Sequence, residues 1–150
     1  MDEVAVLRAL HITGAVLLIG NVTVTGFWAT FLYRSRATVP FRAVARGIMW
    51  ADVVFTLVGG ALLTITGIQL AVARGYPILA TPWLRQGIGA LALATLLWLV
   101  VLLPDQWRLE RLPAGDDRSL RRVFLRWSVV GWAATLSLFY GLWAMVGKLH

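Results

Sequence analysis

The chain contains no cysteine among its 150 residues, which excludes disulfide bonds, thiolate metal sites and cysteine nucleophiles. Charged residues are also scarce, at 14% of the chain, where a typical soluble domain has roughly 25%. Hydrophobic residues make up 59%, which is more apolar surface than a water-soluble protein of this size can hide from water. The composition therefore predicts that most of the chain is surrounded by lipid.

Acidic residues are the scarcer charge, with 7 Asp and Glu against 14 Lys and Arg, so the formal net charge is +7. The arginines stand in short clusters between apolar runs. That layout is typical of topology signals and of contact with anionic lipid, and it argues against nucleic-acid binding. The acidic Asp2-Glu3 start lacks the basic residues of a signal peptide, so we expect the first apolar segment to stay in the protein.

Recognisable catalytic motifs are missing as well. The chain has no Gly-rich phosphate loop, no HExxH pair, no nucleophile elbow and no paired carboxylates inside an apolar run. The Gly59-Gly60 pair is not followed by Lys-Ser or Lys-Thr, so we interpret it as a point of close helix packing. The sequence therefore predicts no catalytic residue.

Four apolar runs of 19 to 27 residues divide the chain. At about 1.5 Å rise per residue, each is long enough as a helix to cross a hydrocarbon core roughly 30 Å thick. Lipid cannot hydrogen-bond free backbone groups, and the runs lack the alternation of barrel strands, so we predict helices. The prediction is an all-α membrane fold, one antiparallel bundle of four transmembrane helices in a single domain. The predicted spans are residues 9–33, 47–73, 86–104 and 127–147.

Proline and arginine positions agree with these spans. The connections formed by residues 34–46 and 105–126 carry ten arginines, whereas the termini and the connection at 74–85 carry four basic residues. The positive-inside rule then predicts an N-out/C-out, multi-pass membrane protein. The five prolines fall between the runs or at their ends, where no interior N–H is lost. They are Pro40, Pro77, Pro82, Pro104 and Pro113.

Small residues at spacings of three and four form narrow stripes in the last two spans. Such stripes let helix backbones approach closely in lipid. We interpret them as packing inside this bundle and prefer this to an interface with another chain. The partners that we consider are the lipid bilayer, a second copy of the chain and another membrane protein. The stripes are Gly87, Ala90 and Ala94 in the third span, and Ala134, Ser137, Gly141 and Ala144 in the fourth.

Polar residues inside the first two spans also share helix faces, which predicts a polar seam between two antiparallel helices. Aligning Arg34 with Arg46 in depth places His11 level with Gln69 near the outer surface. The same count places Asp52 level with Trp28 near the cytoplasmic surface. The members of the predicted seam besides His11 are Asn21, Thr25, Asp52, Thr56 and Thr66.

Two seam residues have alternative interpretations. His11 is either a structural histidine bonded to Gln69 or to backbone, a ligand of haem iron or another metal, or a proton relay. Met145 lies in the same outer layer as His11 and is a candidate axial ligand, since His150 is the last residue and the chain offers no second buried histidine.

Asp52 either pairs with Arg46 or Arg126 at the cytoplasmic rim, caps a helix start, or belongs to an ion path. Asn21 is predicted to form an interhelical hydrogen bond.

Several short segments, spread over nearly the whole chain, together form a pattern defined by their order and spacing. They are Leu10-His11-Ile12-Thr13-Gly14, residues 21–28, Ala51-Asp52-Val53-Val54-Phe55-Thr56, Thr64-Ile65-Thr66-Gly67, Trp83-Leu84 and residues 98–106, which end in Leu103-Pro104-Asp105-Gln106. Together they resemble the bacterial integral-membrane family called domain of unknown function 2269. That resemblance implies the membrane fold and a location in the bacterial cytoplasmic (inner) membrane, and it implies no activity.

The Leu10-His11 element, with Gly14 three residues after the histidine, is more distantly similar to haem-linked membrane families. These are the membrane protoporphyrinogen oxidases and the membrane domain of copper-resistance D proteins, and the resemblance implies haem b at His11. The oxidases carry Trp-Leu-x-x-Lys, whereas the element starting at Trp83 has Gly87 in place of the lysine. That departure argues against the oxidase activity. The alternatives to haem binding are an accessory or scaffold subunit and a small transporter or proton path.

The haem hypothesis makes a direct spectroscopic prediction. Protein purified in detergent from haem-replete cells should show a Soret band, and His11→Ala should abolish it because the axial ligand is lost. A wild-type spectrum without that band would rule the hypothesis out.

Overall fold

The structure, a computed structural model, describes residues 2–38, 41–113 and 115–148, without the side chains of residues 41 and 42. Predictions that involve Pro40, His150 or the Arg42 side chain lie outside this part. Within it the fold is all-α, and no strand is present. The helices are α1 (Glu3–Arg34), α2 (Phe41–Ala73), α3 (Pro82–Leu97), a π-helical turn (Trp98–Leu102), α4 (Leu103–Arg111) and α5 (Asp117–Gly147).

In the described part of the chain, four helical segments are long and apolar enough to cross a membrane, which confirms the predicted fold class. The third of them, Pro82–Arg111, joins α3, the π-helical turn and α4 into one rod. The N-out/C-out orientation stays a prediction. The helices extend beyond the predicted spans because apolar runs mark only the part of a helix that lies in hydrocarbon, and polar residues continue the helix outside it.

Most of the predicted third connection is helical, because α4 and the start of α5 lie within residues 105–126. Pro104 therefore stands inside a helical rod and not at its end, which corrects the prediction for this proline. A proline cannot donate to the carbonyl four residues back and crowds it. The backbone N–H of Leu103 bonds to the carbonyl of Trp98, five residues back, so the rod widens into a π turn at this point.

Helix starts are capped where the sequence supplies short acidic side chains. Asp2 accepts a hydrogen bond from the backbone of Val4 at 3.3 Å, and Asp116 accepts one from the backbone of Ser119 at 3.1 Å. Hydrogen bonds from Ser119 hold the pKa of Asp116 below its usual range. This capping therefore stabilises the start of α5 above the carboxyl's unfolded pKa, and the effect is lost as the pH falls through its lower folded value.

Helices α1 and α2 form the first hairpin, and glycines set their separation. A Cβ built on Gly14 would lie 2.7 Å from the backbone nitrogen of Leu63, and one on Gly59 would lie 2.8 Å from that of Leu18. Both distances are too short for any side chain. Dispersion contacts made at such close approach hold helices together in lipid, where burial of apolar surface gives no advantage. This is the packing role predicted for Gly59.

The second hairpin consists of α3, the π-helical turn, α4 and α5. Here the two predicted stripes of small residues face each other. A Cβ on Gly141 would lie 3.0 Å from the Cβ of Ala90, and the Ser137 hydroxyl donates to the Ala90 carbonyl at 2.9 Å. Gly87 gives room to the thioether of Met145. The stripes therefore pack inside the bundle, as we interpreted them.

The two hairpins meet over a limited area. Helix α1 approaches α5, and α2 approaches α4, but in the described part no Cα atom of α2 lies within 8 Å of one in α3. The rings of Tyr33 and Phe124 stack at 3.9 Å between the hairpins, close to the end that carries the arginine-rich connections. The bundle is consequently closed near that end and is wider between α2 and α3.

The glycine contacts predict which substitutions disturb the first hairpin. Gly14→Ala and Gly59→Ala should each lower the free energy of unfolding by about 1–3 kcal/mol, because the added methyl group collides with backbone that cannot move independently. The measurement is an unfolding titration in detergent micelles. Gly20→Ala is the matched control, since a Cβ there meets nothing within 4 Å. Equal losses in all three variants would contradict the close-packing explanation.

Candidate functional site

The carboxylate of Asp52 lies inside the bundle, with only 5% of the residue exposed. Oδ1 accepts hydrogen bonds from Asn21 Nδ2 at 3.2 Å and from Thr56 Oγ1 at 3.1 Å. Oδ2 accepts from Trp98 Nε1 and from Gln106 Nε2, both at 2.9 Å. We call these five residues the Asp52 cluster. Its four donors use the roughly four acceptor positions that a carboxylate offers.

Separate elements bring the donors to Asp52. Asn21 is on α1, and Thr56 is one turn along α2, where residues four apart share a face. Trp98 and Gln106 are eight residues apart, which in a regular α-helix puts them about 80° apart around the axis. The extra residue in the π-helical turn reduces this difference to about 20°. The π turn therefore lets both side chains reach the same carboxylate oxygen.

The predicted pairing of Asp52 with Arg46 or Arg126 is wrong. Arg46 Nε instead lies 2.7 Å from Glu110 Oε1, and Arg126 binds Asp105. The depth count placed Asp52 level with Trp28, but the structure places it beside Asn21, seven residues or about 10 Å deeper. The count assumed that Arg34 and Arg46 lie at equal depth, whereas the contacts of Gly14 and Gly59 decide how α1 and α2 align.

Asp105 forms a second polar cluster next to the first. Its side chain is fully buried, Arg126 Nε donates to its Oδ2 at 2.8 Å, and Arg126 Nη2 donates to Oδ1. Arg108 Nη1 lies 3.5 Å from the same carboxylate. A carboxylate held in this bidentate way by a guanidinium fixes the position of α4 against α5. We assign this pair a structural role, because both charges are neutralised by each other.

Three members of these clusters had no predicted role: Trp98, Asp105 and Gln106. Trp98 was treated as part of an apolar span, and the other two were placed in a connection. Helical spacing in the sequence could have revealed that this segment is buried. Trp98, Leu102, Asp105 and Leu109 follow steps of four, three and four residues, and all four are buried. Continuing the helix through Pro104 would have shown that the polar pair belongs to the bundle.

His11 lies in the first hairpin and bonds to α2. Its Nδ1 is 2.9 Å from the Leu63 carbonyl and 3.3 Å from Thr66 Oγ1. The ring also rests on Gly67, where a Cβ would lie 2.9 Å from Cε1 of the histidine. The contact with the Leu63 carbonyl is the backbone hydrogen bond expected if His11 is a structural residue, and the seam residue Thr66 lies beside it.

The other residues proposed to act with His11 lie elsewhere. Gln69 is exposed, and no hydrogen bond between it and His11 is found among the described residues. Met145 packs on Gly87 in the second hairpin, whereas His11 packs on α2 in the first. The described residues contain no group of three or more His, Cys, Asp or Glu side chains able to hold a metal ion.

A cavity of about 400 Å³ lies between the two hairpins, next to the Asp52 cluster. Its walls are mainly apolar and come from residues 18–30 of α1, 52–65 of α2, 91–106 of α3, the π turn and α4, and 127–138 of α5. Asp52, Thr56, Trp98 and Gln106 of the cluster line it, as does the seam residue Thr25. His11, Gln69 and Met145 do not.

Three buried polar atoms have no hydrogen-bond partner among the described residues. They are Gln106 Oε1, Trp127 Nε1 and Ser128 Oγ; their residues contribute to the cavity wall, but the atoms themselves are covered by protein and are not accessible from the cavity. A buried polar group without a partner costs about 1–3 kcal/mol. Such groups are uncommon in folded proteins.

The four membrane-length helices and their buried polar cluster define a polytopic α-helical membrane protein with an intramembrane cavity. The chain belongs to the family described as predicted integral membrane protein (DUF2269), whose model matches residues 5–149. This confirms the family that the sequence resembles, and the family description carries no activity. Comparisons with curated proteins and with solved structures found no match.

The Asp52 cluster predicts a graded effect of substitutions on stability. Asp52→Ala leaves four donors without an acceptor. Two of these donors, on Trp98 and Gln106, are buried, and each should cost about 1–3 kcal/mol. Thr56→Val removes one donor and keeps the carboxylate, so it should cost about 1 kcal/mol. Unfolding titrations in detergent measure both. An Asp52→Ala variant as stable as Thr56→Val would contradict the assigned network.

Proposed function

We propose that this membrane protein binds a small, lipid-soluble molecule in the cavity between its two hairpins. The observation that carries the proposal is the combination of that cavity with a buried polar end. Its volume of about 400 Å³ falls within the roughly 300–1,000 Å³ typical of small-molecule pockets. Mostly apolar walls with a few convergent polar groups are the usual composition of such pockets.

The polar end of the cavity is rigid, which suits a binding site. Asp52 is held by donors from both hairpins, and the amide of Gln106 is oriented because its Nε2 is already bonded to the carboxylate. Trp127 is buried among core residues, so its indole ring is also fixed. A molecule that enters the cavity therefore meets side chains that are already in place.

Access from the lipid phase fits the gap between α2 and α3. Exposed side chains of both helices contribute to the cavity wall, including Ile65 and Thr95. Because the two backbones stay more than 8 Å apart in the described part, the cavity has a flank directed to the acyl chains. A lipid-soluble molecule can approach by this flank without crossing the arginine-rich end.

A photolabelling experiment tests the proposal. The protein is reconstituted in lipid nanodiscs and irradiated with an octanol that carries a diazirine. We expect saturable labelling of buried wall residues such as Trp98 and Ala94, and loss of that labelling in Gly60→Leu. Gly60 lines the cavity, and a Cβ there meets no atom within 4 Å, so leucine fills the cavity without displacing backbone.

The matched control is Gly20→Leu. Gly20 has the same open surroundings, but it does not line the cavity, so labelling of the wall residues should be unchanged. Labelling that never saturates, or that falls equally in both variants, would show that the probe partitions over the protein surface and that the cavity is no binding site.

The earlier hypotheses for this chain stay predictions beside this proposal. Haem ligation at His11 has its own spectroscopic test, but the cavity is not lined by His11 or Met145, so the cavity gives it no support. Transport would require release of the bound molecule to the opposite side, and unchanged flux in liposomes after Asp52→Asn and Asn21→Leu would count against it. A scaffold role predicts co-purifying partners and little functional loss on His11→Ala.

A further inference from the structure

We infer that one exposed face of α5 binds an anionic phospholipid, with the phosphate at the arginine-rich start of the helix and an acyl chain along the apolar side chains that follow. The clustered arginines of the sequence predict contact with acidic lipid in general, and the structure narrows this contact to one face of one helix. This lipid site does not depend on the proposed binding function.

Some arginines at this end of the bundle already have carboxylate partners. Arg46 pairs with Glu110, and both Arg126 and Arg108 lie against Asp105. These guanidinium groups are engaged inside the protein, so a lipid would have to compete with a carboxylate for them. The arginines that are available to a lipid lie elsewhere.

Arg118 and Arg122 differ from these engaged arginines. Both are exposed on the first two turns of α5, and neither forms an ion pair among the described residues. The acidic residues that begin the helix do not cover them. Asp116 accepts the backbone hydrogen bond of Ser119. Asp117 lies about 100° around the helix axis from Arg118. The outward face of these turns is therefore positively charged.

The spacing of the two arginines favours an anionic partner. Residues four apart on a helix are neighbours, with Cβ atoms about 5–6 Å apart, and like charges in this relation destabilise the helix. Because both side chains are long and exposed, both guanidinium groups can reach one phosphate, which removes the repulsion and accepts hydrogen bonds from each. Arg121 adds a third exposed positive charge beside them.

The same face of α5 continues as an apolar surface over the length of one leaflet. From Arg118 it proceeds in steps of four, three, four, three and four residues, and every residue in it is exposed. Leu125 and Leu136 are eleven residues or about 16 Å apart, which is roughly half of a hydrocarbon core of about 30 Å. We call this face the α5 stripe; it consists of Arg118, Arg122, Leu125, Val129, Trp132 and Leu136.

A phospholipid matches both parts of the α5 stripe. A soluble anion would contact the arginines alone, and a soluble partner cannot reach side chains that lie in the hydrocarbon layer. A zwitterionic head group carries an ammonium beside its phosphate, which the arginines repel. An anionic head group instead gains from each basic residue near the membrane surface. The occupant is therefore an anionic phospholipid of the leaflet on the arginine-rich side.

Fluorescence quenching by labelled lipids tests this site. Because the chain contains no cysteine, Val129→Cys gives a single attachment point for a fluorophore on the α5 stripe. The protein is placed in nanodiscs of phosphatidylcholine and phosphatidylglycerol with identical acyl chains, and each lipid in turn carries a nitroxide quencher on its chain. Free phosphate gives no signal in this measurement, because only the acyl chain carries the quencher.

Phosphatidylglycerol should quench this fluorophore at a severalfold lower concentration than phosphatidylcholine. One basic residue near an anionic membrane surface changes affinity by about fivefold, so Arg122→Gln and Arg118→Gln should each reduce the preference by about that factor. Both side chains are exposed and form no ion pair in the described part, so both variants should unfold at the same denaturant concentration as the unsubstituted protein.

Two controls locate the effect. Leu96→Cys places the fluorophore at an exposed position of α3 that is eleven residues from Arg85 and twelve from Arg108, and no lipid preference is expected there. Arg74→Gln removes an exposed basic residue just after the end of α2, and it should leave the quenching of the fluorophore in Val129→Cys unchanged.

The outcomes decide whether the α5 stripe is a lipid site. A preference in Val129→Cys that falls with Arg118→Gln and Arg122→Gln but not with Arg74→Gln supports it. Equal quenching by the two lipids in Val129→Cys, or the same preference in Leu96→Cys, overturns it, because lipid would then surround the bundle without regard to this face. An equal loss with Arg74→Gln also overturns it, since net charge alone would then explain the preference.

Discussion

The hydrogen bonds to Asp52 connect the two helical hairpins, which meet over a limited area. Its carboxylate receives donors from α1, α2, the π-helical turn and α4, so a single buried group links both hairpins. A lone charge at this depth in a membrane would be costly. Four neutral donors replace the hydration of the carboxylate, and they can do so only when the hairpins are assembled. The assembled bundle and the buried charge therefore depend on each other.

The cavity is a consequence of where this link lies. Close to Asp52 the hairpins are held together, and the aromatic stack of Tyr33 on Phe124 adds packing at the same end. Farther along, α2 and α3 separate, because each is already packed against its own hairpin partner through small residues. Apolar walls and one rigid polar end follow directly from that arrangement.

His11 and Asp52 show how differently two polar residues of one seam can be used. Both face the interface of α1 and α2, as the spacing predicted. His11 bonds within its own hairpin to the Leu63 carbonyl, which secures α1 to α2. Asp52 bonds across to the second hairpin and lines the cavity. Spacing on one helix reveals the shared face, but the partner of each side chain depends on which other helix lies opposite.

The sequence by itself determined the four spans, the family and the small-residue packing, because apolar length and three- to four-residue spacing are local properties of a helix. It also identified Asn21, Thr25, Asp52 and Thr56 as interior polar residues. The structure decided the partners of Asp52, since they depend on the offset of α1 against α2 and on a π turn near Pro104 that rotates Gln106 inward. The cavity was also decided only by the tertiary structure. It lies between two hairpins that are distant in sequence, and no local sequence pattern indicates how much space remains between them.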